Sequence, residues 1–515
     1  MSIGSTCFEP PGSVCWRARK DKQVDQNRRG FVKAAAAAFS IVPRHVLGGQ
    51  GVVAPSDKIT LGYIGTGTQG LREMIGMLAF EDIRIVAVCD PCKEPVGYRD
   101  WSKTGLLNQI RRGLKKDNWR AGSEDTIPGG RDVGKDVVDT YYDGKGCAAY
   151  ADFREMLEKE KDLNAVKIMT PDHLHGVISV AAMRRGKHVM IHKPLANRLE
   201  EVKLVIDTAR ERGVATHFIP WDANGSMEPV MAWIRDGSIG TLREVHNWTN
   251  RPVWPQYTSI PADTPPAPEG FDWDLWLGPE AERPYHPNYT HMVFRGWYDF
   301  GGGSMADMGH YSLWTVFNAL GLKAPRAVEP MISHVCAFNG PVPSRVKNDF
   351  AFPTASAVRF KYPGVDLIWY EGGMRPPPPE ELEEDQKELP AEGMMFVGDK
   401  GKILAGFHVD NPRLIPERRM GGAPQPEPRR QPRETAKPSP GMQKWIEACR
   451  GAKEQSPGSF LNAWPISEAA NLYAVALRTG KKLTYDGESR KITNLPEANQ
   501  YLARQYRKGW EPQSV

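Results

Sequence analysis

The stretch GYIGTGTQGLREM, residues 62–74, decides the fold. It holds Gly65, Gly67 and Gly70 in the pattern G-x-G-x-x-G, after the apolar run KITLGYIG (58–65) and within the start of an amphipathic segment, LREMIGMLAF (71–80). A strand, a glycine turn and a helix in that order open a dinucleotide-binding unit. Gly65 permits the tight turn, Gly67 lets the backbone approach a pyrophosphate, and Gly70 lets the helix pack close. The helix N-terminus then faces the phosphates. Asp90 stands 20 residues after Gly70, at the end of the next apolar run, IRIVAVCD (83–90). Its carboxylate there can accept hydrogen bonds from the adenosine ribose and repel a 2′-phosphate, which favours NAD over NADP. Lys93 tempers that preference. The cofactor-binding candidates of this motif are Gly65, Thr66, Gly67, Thr68, Gln69, Gly70 and Asp90.

Outward from this unit, strands and helices alternate. DFREMLEKEKD (152–162) has helical spacing, AVKIMTP (165–171) reads as a strand, and HLHGVISVAAMRRG (173–186) as a helix ending in glycine. KHVMIHKP (187–194), LEEVKLVIDTARERG (199–213) and VATHFIP (214–220) continue the rhythm. Repeated β-α units imply a parallel sheet with right-handed crossovers, an α/β Rossmann domain over 58–220. Residues 91–146 break the rhythm; they hold one basic helix, LLNQIRRGLKK (106–116), and a Gly-rich polar remainder, so they read as a functional or mobile insertion. From residue 221 to 515 the alternation becomes strand-like, as in LREVHNWTN (242–250) and VDLIWYEGG (365–373), which predicts an α+β domain on a large, mostly antiparallel open sheet with C-terminal helices. The Pro-rich, charged stretches 375–390 and 416–440 read as exposed loops.

The formal net charge of +5 sits in residues 1–48, which carry eight Lys/Arg and three Asp/Glu. The neutral remainder gives no electrostatic case for a nucleic-acid partner. NRRGFVKAAAAAFSIV (27–42) has a twin arginine, Arg28 and Arg29, followed by a short Ala-rich apolar run. That run is too short to span a bilayer stably, and the segment resembles a bacterial twin-arginine export signal, with residues 1–57 as signal and linker and the mature chain in the periplasm. The cysteines beyond the leader are odd in number and scattered, so no disulfide framework is expected; CDPC (89–92) lacks the second pair a zinc site needs.

Three further motifs carry chemistry. MTPDHLH (169–175) ends a strand at the carboxyl edge of the sheet, where ligands bind, and adds Thr170, Pro171, Asp172 and His175 as cofactor-binding candidates. Asp172 could equally cap the helix that follows. VMIHKPLANR (189–198) ends the next strand, so Lys193 opens onto the same crevice. An ammonium beside a nicotinamide cation has its pKa lowered and becomes a usable proton relay, unless Lys193 only pairs with a carboxylate. WYDFGGGSMADMGHYSLW (297–314) brings the backbone close to a ligand or the opposite domain at Gly301–Gly303, then starts a helix bearing Asp307, His310 and Tyr311 at offsets of three and four, one helical face.

Together these motifs, in this order, resemble the Gfo/Idh/MocA family of oxidoreductases. The resemblance implies hydride transfer between a nicotinamide, NAD or NADP, and a hydroxyl-bearing carbon of a sugar, glycoside or polyol; because free NAD is scarce outside the cytoplasm, a tightly bound cofactor is expected. It implies that Lys193 hydrogen-bonds the reacting hydroxyl and that Asp307 is the acid of the second motif. Many members carry a catalytic histidine where this chain has Tyr311, with His310 one place earlier, so the base is either of the two. His192, Lys193, Arg295, Trp297 and His310 are the substrate-binding candidates. His192 replaces the family's usual glutamate, which removes a fixed negative charge beside Lys193. Alternatives are an NAD-dependent glycosidase working by transient oxidation and elimination, and a non-catalytic secreted sugar-binding protein. The aromatic stretch Trp248–Tyr257 suits stacking on sugar rings. The implied assembly is a homo-oligomer through the C-terminal sheet; no nucleic acid, metal or stable membrane insertion is implied.

Overall fold

In the computed structural model the glycine-rich stretch joins a buried strand to a helix, and the rest of a parallel sheet grows from it. The structure describes residues 57–513 apart from 145, 224 and 422–437, so the twin-arginine segment lies outside the described residues. The strands are β1 (Ile59–Ile64), β2 (Ile83–Cys89), β3 (Ala148–Tyr150), β4 (Ala165–Ile168), β5 (His188–Ile191) and β6 (Thr216–Phe218). They pair in the order β3-β2-β1-β4-β5-β6, every neighbouring pair parallel. This is the doubly wound order that places a ligand crevice at the carboxyl ends of β1 and β4. Helices α1 (Thr68–Leu78), α2 (Gly105–Leu114), α3 (Arg131–Tyr141), α4 (Phe153–Lys159), α5 (Asp172–Arg184) and α6 (Leu199–Arg212) accompany them. Both faces of the sheet are covered, which is why β1, β4 and β5 are nearly continuous apolar runs.

The insertion is not the loose loop that its composition suggests. It carries a second helix, α3, whose Val133, Val137 and Val138 are buried with Ile110 and Leu114 of α2 in the core around α1 and β2. Each such side chain contributes roughly 1.5–3 kcal/mol by its burial, enough to fix the segment. The signal was present as apolar residues at i, i+4 and i+5 within RDVGKDVVDTY (131–141), hidden by the charges between them.

The second half is built on a nine-stranded sheet. Its central strand Asp366–Glu371 pairs parallel with Leu242–Trp248, and the remaining neighbours are antiparallel. Helices α7 (His310–Leu320) and α8 (Trp464–Thr479) add to the core beneath it. The Pro-rich segment 375–390 is less exposed than expected: its Leu382 and Leu389 pack with Trp248, Ile368 and Ile415 in a separate cluster. Most of 416–440 lies outside the described residues. At the C-terminus the buried Arg504 pairs with Glu201 of α6 at 2.6 Å, and also with Glu280, tying the tail back to the parallel-sheet half.

Candidate active site

The glycine loop opens a cavity of about 470 Å³ that runs from Gly65 and Asp90 to Asp307 and Tyr311. Gly65 has φ +97°, and a Cβ there would lie 2.6 Å from the Met169 carbonyl carbon, so the β1 turn and the β4 end touch only because it is glycine. A Cβ on Gly70 would lie 2.2 Å from the Gly65 oxygen. Gly67 is different: the nearest atom to its Cβ position is a ring carbon of Tyr98 at 3.3 Å, which leaves its cavity side open. Helix α1 starts at this wall with no side chain capping it, so its first N–H groups face the cavity as a phosphate cradle. Asp90 stands at the β2 end, with its two oxygens accepting the Thr66 N–H at 2.8 Å and the Cys92 N–H at 2.9 Å. Burial raises the Asp90 carboxyl to about 6, against the pull of those N–H groups. A glycine cradle, an uncapped helix start and a terminal carboxylate fit a dinucleotide. The insertion closes this end: Tyr98 lies over Gly67, and Asp100 pairs with Arg72 of α1 at 2.8 Å.

At the other end Lys193, at the close of β5, is paired with Asp307, and both side chains are buried. Asp307 also faces Arg295 Nε at 3.4 Å. Burial would raise the Asp307 carboxyl, but the two cations hold it well below the ordinary carboxylate range. Burial depresses the Lys193 ammonium, partly offset by Asp307. The Lys193 nitrogen lies 5.4 Å from the centre of the Tyr311 ring. Nε2 of His192 lies 2.6 Å from the Tyr311 hydroxyl and 3.1 Å from Glu73 Oε1 on α1. Glu73 in turn accepts from Lys167 of β4 at 2.7 Å. Burial lowers His192 to about 4, so its ring is neutral at ordinary pH. Burial alone would raise the Glu73 carboxyl; Lys167 and His192 hold it well below its usual range.

Residues 136–219 match the model of the oxidoreductase family's NAD-binding Rossmann fold, and residues 232–332 match that family's C-terminal alpha/beta domain. Both domains occur, in order, on one chain. Over these two segments the chain is similar to the Gfo/Idh/MocA oxidoreductase family. Among curated relatives, it is 32% identical to the levoglucosan dehydrogenase of Pseudarthrobacter phenanthrenivorans over 94 residues, 18% of this chain and 24% of that protein. It is 25% identical over 236 residues to a glycosyl hydrolase family 109 protein of a Shewanella strain, 42% of this chain and 44% of the relative. The matches thus span less than half the length of these relatives. Among solved structures, the aldose-aldose oxidoreductase of Caulobacter crescentus gives a TM-score of 0.47 at 17% identity, covering 83% of this chain and 99% of that one.

The cavity brings together Lys193, Asp307, Tyr311, His192 and Arg295, and at its glycine-loop end Gly65, Gly67, Thr68, Gln69, Gly70 and Asp90. Thr170 and Pro171 also line it. Other candidates lie elsewhere. Thr66 is fully buried and holds Asp90 from behind. Asp172 neither caps α5 nor lines the cavity; it accepts the Gly302 N–H at 3.0 Å, so the triple glycine approaches the opposite domain. His175 is buried between the carbonyls of Pro194 and Thr170, where it braces two loops. His310 faces the core: Nδ1 meets the Ala306 carbonyl at 2.9 Å, Nε2 has no hydrogen-bond partner, and Phe218 packs on the ring. The physical reason is a π turn at Met305–Gly309, whose wider winding keeps Tyr311 above Asp307 and swings His310 away from the face that α-helical offsets give it. Trp297 is buried, donates to the Asn288 carbonyl at 2.7 Å and stacks on Tyr257. Trp248 lies in the core; of the aromatic stretch, Trp254 lines the cavity. Sequence reading missed Glu73, Lys167 and Tyr98. Lys167 left a trace, a lone lysine in the apolar run AVKI (165–168), whereas Glu73 looks like any charged helix position. Among the described residues no group of His, Cys, Asp or Glu is arranged to hold a metal ion.

Proposed function

We propose that the protein is an NAD-dependent oxidoreductase acting on a hydroxyl-bearing carbon of a sugar, glycoside or polyol. The observation that carries this reading is the convergence of Lys193, Asp307 and Tyr311 at one end of a cavity whose other end is the glycine loop. NAD held along that loop supplies the hydride acceptor. Lys193 hydrogen-bonds the reacting hydroxyl, Asp307 fixes the ammonium in place, and Tyr311 takes the hydroxyl proton. Arg295 steadies Asp307 and, with Trp254, shapes the sugar side of the cavity. Asp90 favours NAD, and Tyr98 lying over Gly67 favours slow release of it. The name of the levoglucosan dehydrogenase relative supports a sugar substrate. The test is NADH formation from levoglucosan, D-glucose and myo-inositol, with Lys193→Ala as control: turnover undiminished in that variant removes the assignment.

A second reading is favoured by the glycosyl hydrolase family 109 matches: the same residues serve transient oxidation followed by elimination and glycosidic cleavage. Product analysis on a nitrophenyl glycoside separates the two, since an unoxidised sugar with no net NADH supports cleavage and a keto-sugar supports dehydrogenation. We further infer export by the twin-arginine route, tested by replacing Arg28 and Arg29 with Lys and assaying the periplasm. No helix among the described residues is long and apolar enough to cross a membrane. A homo-oligomer would form at the C-terminal sheet, next to which Met331, Phe338 and Val342 are exposed; light scattering tests it.

A further inference from the structure

We propose that His192 and Glu73 form the proton exit of the active site, carrying the substrate's hydroxyl proton from Tyr311 to solvent. This rests on the dehydrogenase reading above and names residues that reading does not use. A single atom makes the connection: Nε2 of His192 lies 2.6 Å from the Tyr311 hydroxyl and 3.1 Å from Glu73 Oε1. Tyr311 and His192 line the cavity, and His192 is 4% exposed. The Glu73 side chain is 20% exposed and accepts from Gln69 Nε2 at 3.2 Å, an exposed residue at the cavity mouth. The route therefore runs from the reacting end of the cavity to water with no gap. Asp307 offers no comparable route, because it is 7% exposed and enclosed by Lys193 and Arg295.

The step balances as follows. The substrate C–H bond breaks and its electron pair goes, as hydride, to the oxidised nicotinamide. The O–H bond breaks and the carbonyl forms. The Tyr311 oxygen accepts that proton as its own moves to Nε2 of His192, which is neutral and free to receive it. The imidazolium so formed sits against the Glu73 carboxylate, and its proton leaves to water there. Each turnover delivers one hydride to NAD⁺ and one proton to solvent. The groups that face His192 are Glu73 from α1, Lys167 from β4, Lys193 beside it and Tyr311 from α7, with Asp307 behind Lys193 and His408 against the Tyr311 ring. Glu73 stabilises the imidazolium, Lys167 keeps Glu73 ionised, and Lys193 opposes a second charge next to it. His192 and Glu73 are thus positioning and relay residues acting through Tyr311.

The test uses the full-length protein with NAD⁺ and levoglucosan, D-glucose or myo-inositol, following NADH across a pH series in wild type, Glu73→Gln and His192→Ala. In Glu73→Gln, kcat falls and its acid limb moves to lower pH, because His192 without the carboxylate holds a proton less readily, while KM for the sugar is unchanged. In His192→Ala, kcat falls by roughly 10²-fold or more, the size general acid–base catalysis supplies, and added imidazole restores part of it. A purely structural role moves neither the limb nor the imidazole response. If both variants keep the wild-type kcat and pH limb, the relay is overturned and the dehydrogenase reading stands. If wild type forms no NADH from any of the sugars, the dehydrogenase reading fails and the relay with it. Should His192→Ala not fold, the partly exposed Glu73→Gln decides alone.

Discussion

In an Asp307→Asn variant the Lys193 ammonium loses the carboxylate it is paired with, and Arg295 loses the one 3.4 Å from its Nε. What remains is Asp172, whose Oδ1 lies 3.9 Å from Arg295. Cavity water offsets the lost charge only in part, since Lys193 is 6% exposed. Stranding one partner of a buried pair costs about 3–5 kcal/mol, and the Asn amide oxygen, which keeps one hydrogen bond, sets the cost at the lower end. Lys193→Ala costs less, about 1–3 kcal/mol, because Asp307 retains Arg295. The pH dependence follows from the same geometry. Burial depresses Lys193 and Asp307 opposes that effect, so the variant's Lys193 is depressed further. Between its folded pKa and the unfolded value of about 10.4, the unfolded chain binds more protons, so stability rises with pH across that window. The deficit against wild type is therefore largest near neutrality and shrinks on the way to pH 10. Urea unfolding read by tryptophan fluorescence at about pH 7 and about pH 9.5 measures it. A Lys193→Ala loss equal to or larger than that of Asp307→Asn, or a deficit that does not change with pH, would refute the reasoning.

Gly65→Ala, with its Cβ 2.6 Å from the Met169 backbone at positive φ, should lose both NAD binding and stability, whereas Gly67→Ala, 3.3 Å from a movable Tyr98 ring, should keep its stability and bind NAD more weakly; calorimetry and thermal unfolding separate the two. Tyr98→Ala uncovers the glycine loop and should weaken NAD binding by about tenfold, or about 1.4 kcal/mol, chiefly through faster release in a stopped-flow measurement. His310→Leu removes a ring whose Nε2 is already unpartnered, so it should stay within about 1 kcal/mol of wild type and remain active, while Tyr311→Phe should lose roughly 10²-fold in kcat. With its carboxyl raised to about 6, Asp90 is protonated below that pH and accepts from the ribose less well; NAD affinity should fall by up to about tenfold per pH unit there, and Asp90→Asn should flatten the profile.

Much of the fold was legible because its signals are local. The glycines, the apolar runs of β1, β4 and β5, and the Asp90 spacing each encode one task, and the parallel sheet follows from their repetition. The site was legible where a motif ends a strand: Lys193, Thr170 and Asp90 lie where parallel strands must open onto the crevice. It was not legible where the answer depends on winding or on a distant partner. Of His310 and Tyr311 only Tyr311 faces the cavity, because five residues wind as a π turn, and the sequence of those residues does not announce it. Trp297 is a substrate-binding candidate by sequence, but its Tyr257 and Asn288 partners lie 40 and 9 residues away along the chain and turn it inward. Glu73 could not be paired with His192 before the sheet had brought the start of α1 against the end of β5.

That last contact changes what the histidine of HKP means. Read along the chain, His192 removes a negative charge from beside Lys193. In the fold, Glu73 returns one from α1, at 3.1 Å from the imidazole, and Lys167 anchors it. The charge has moved from the strand that carries Lys193 to the helix whose first turn cradles the cofactor phosphates. Gln69, at the wall of that cradle, hydrogen-bonds Glu73 one turn later. A shift of α1 on cofactor binding would therefore move Glu73 against His192 directly, whereas a glutamate at position 192 would be fixed by β5 and indifferent to α1. The replacement thus joins two tasks that separate elements would otherwise perform, holding the cofactor and draining the proton, on a helix only 11 residues long.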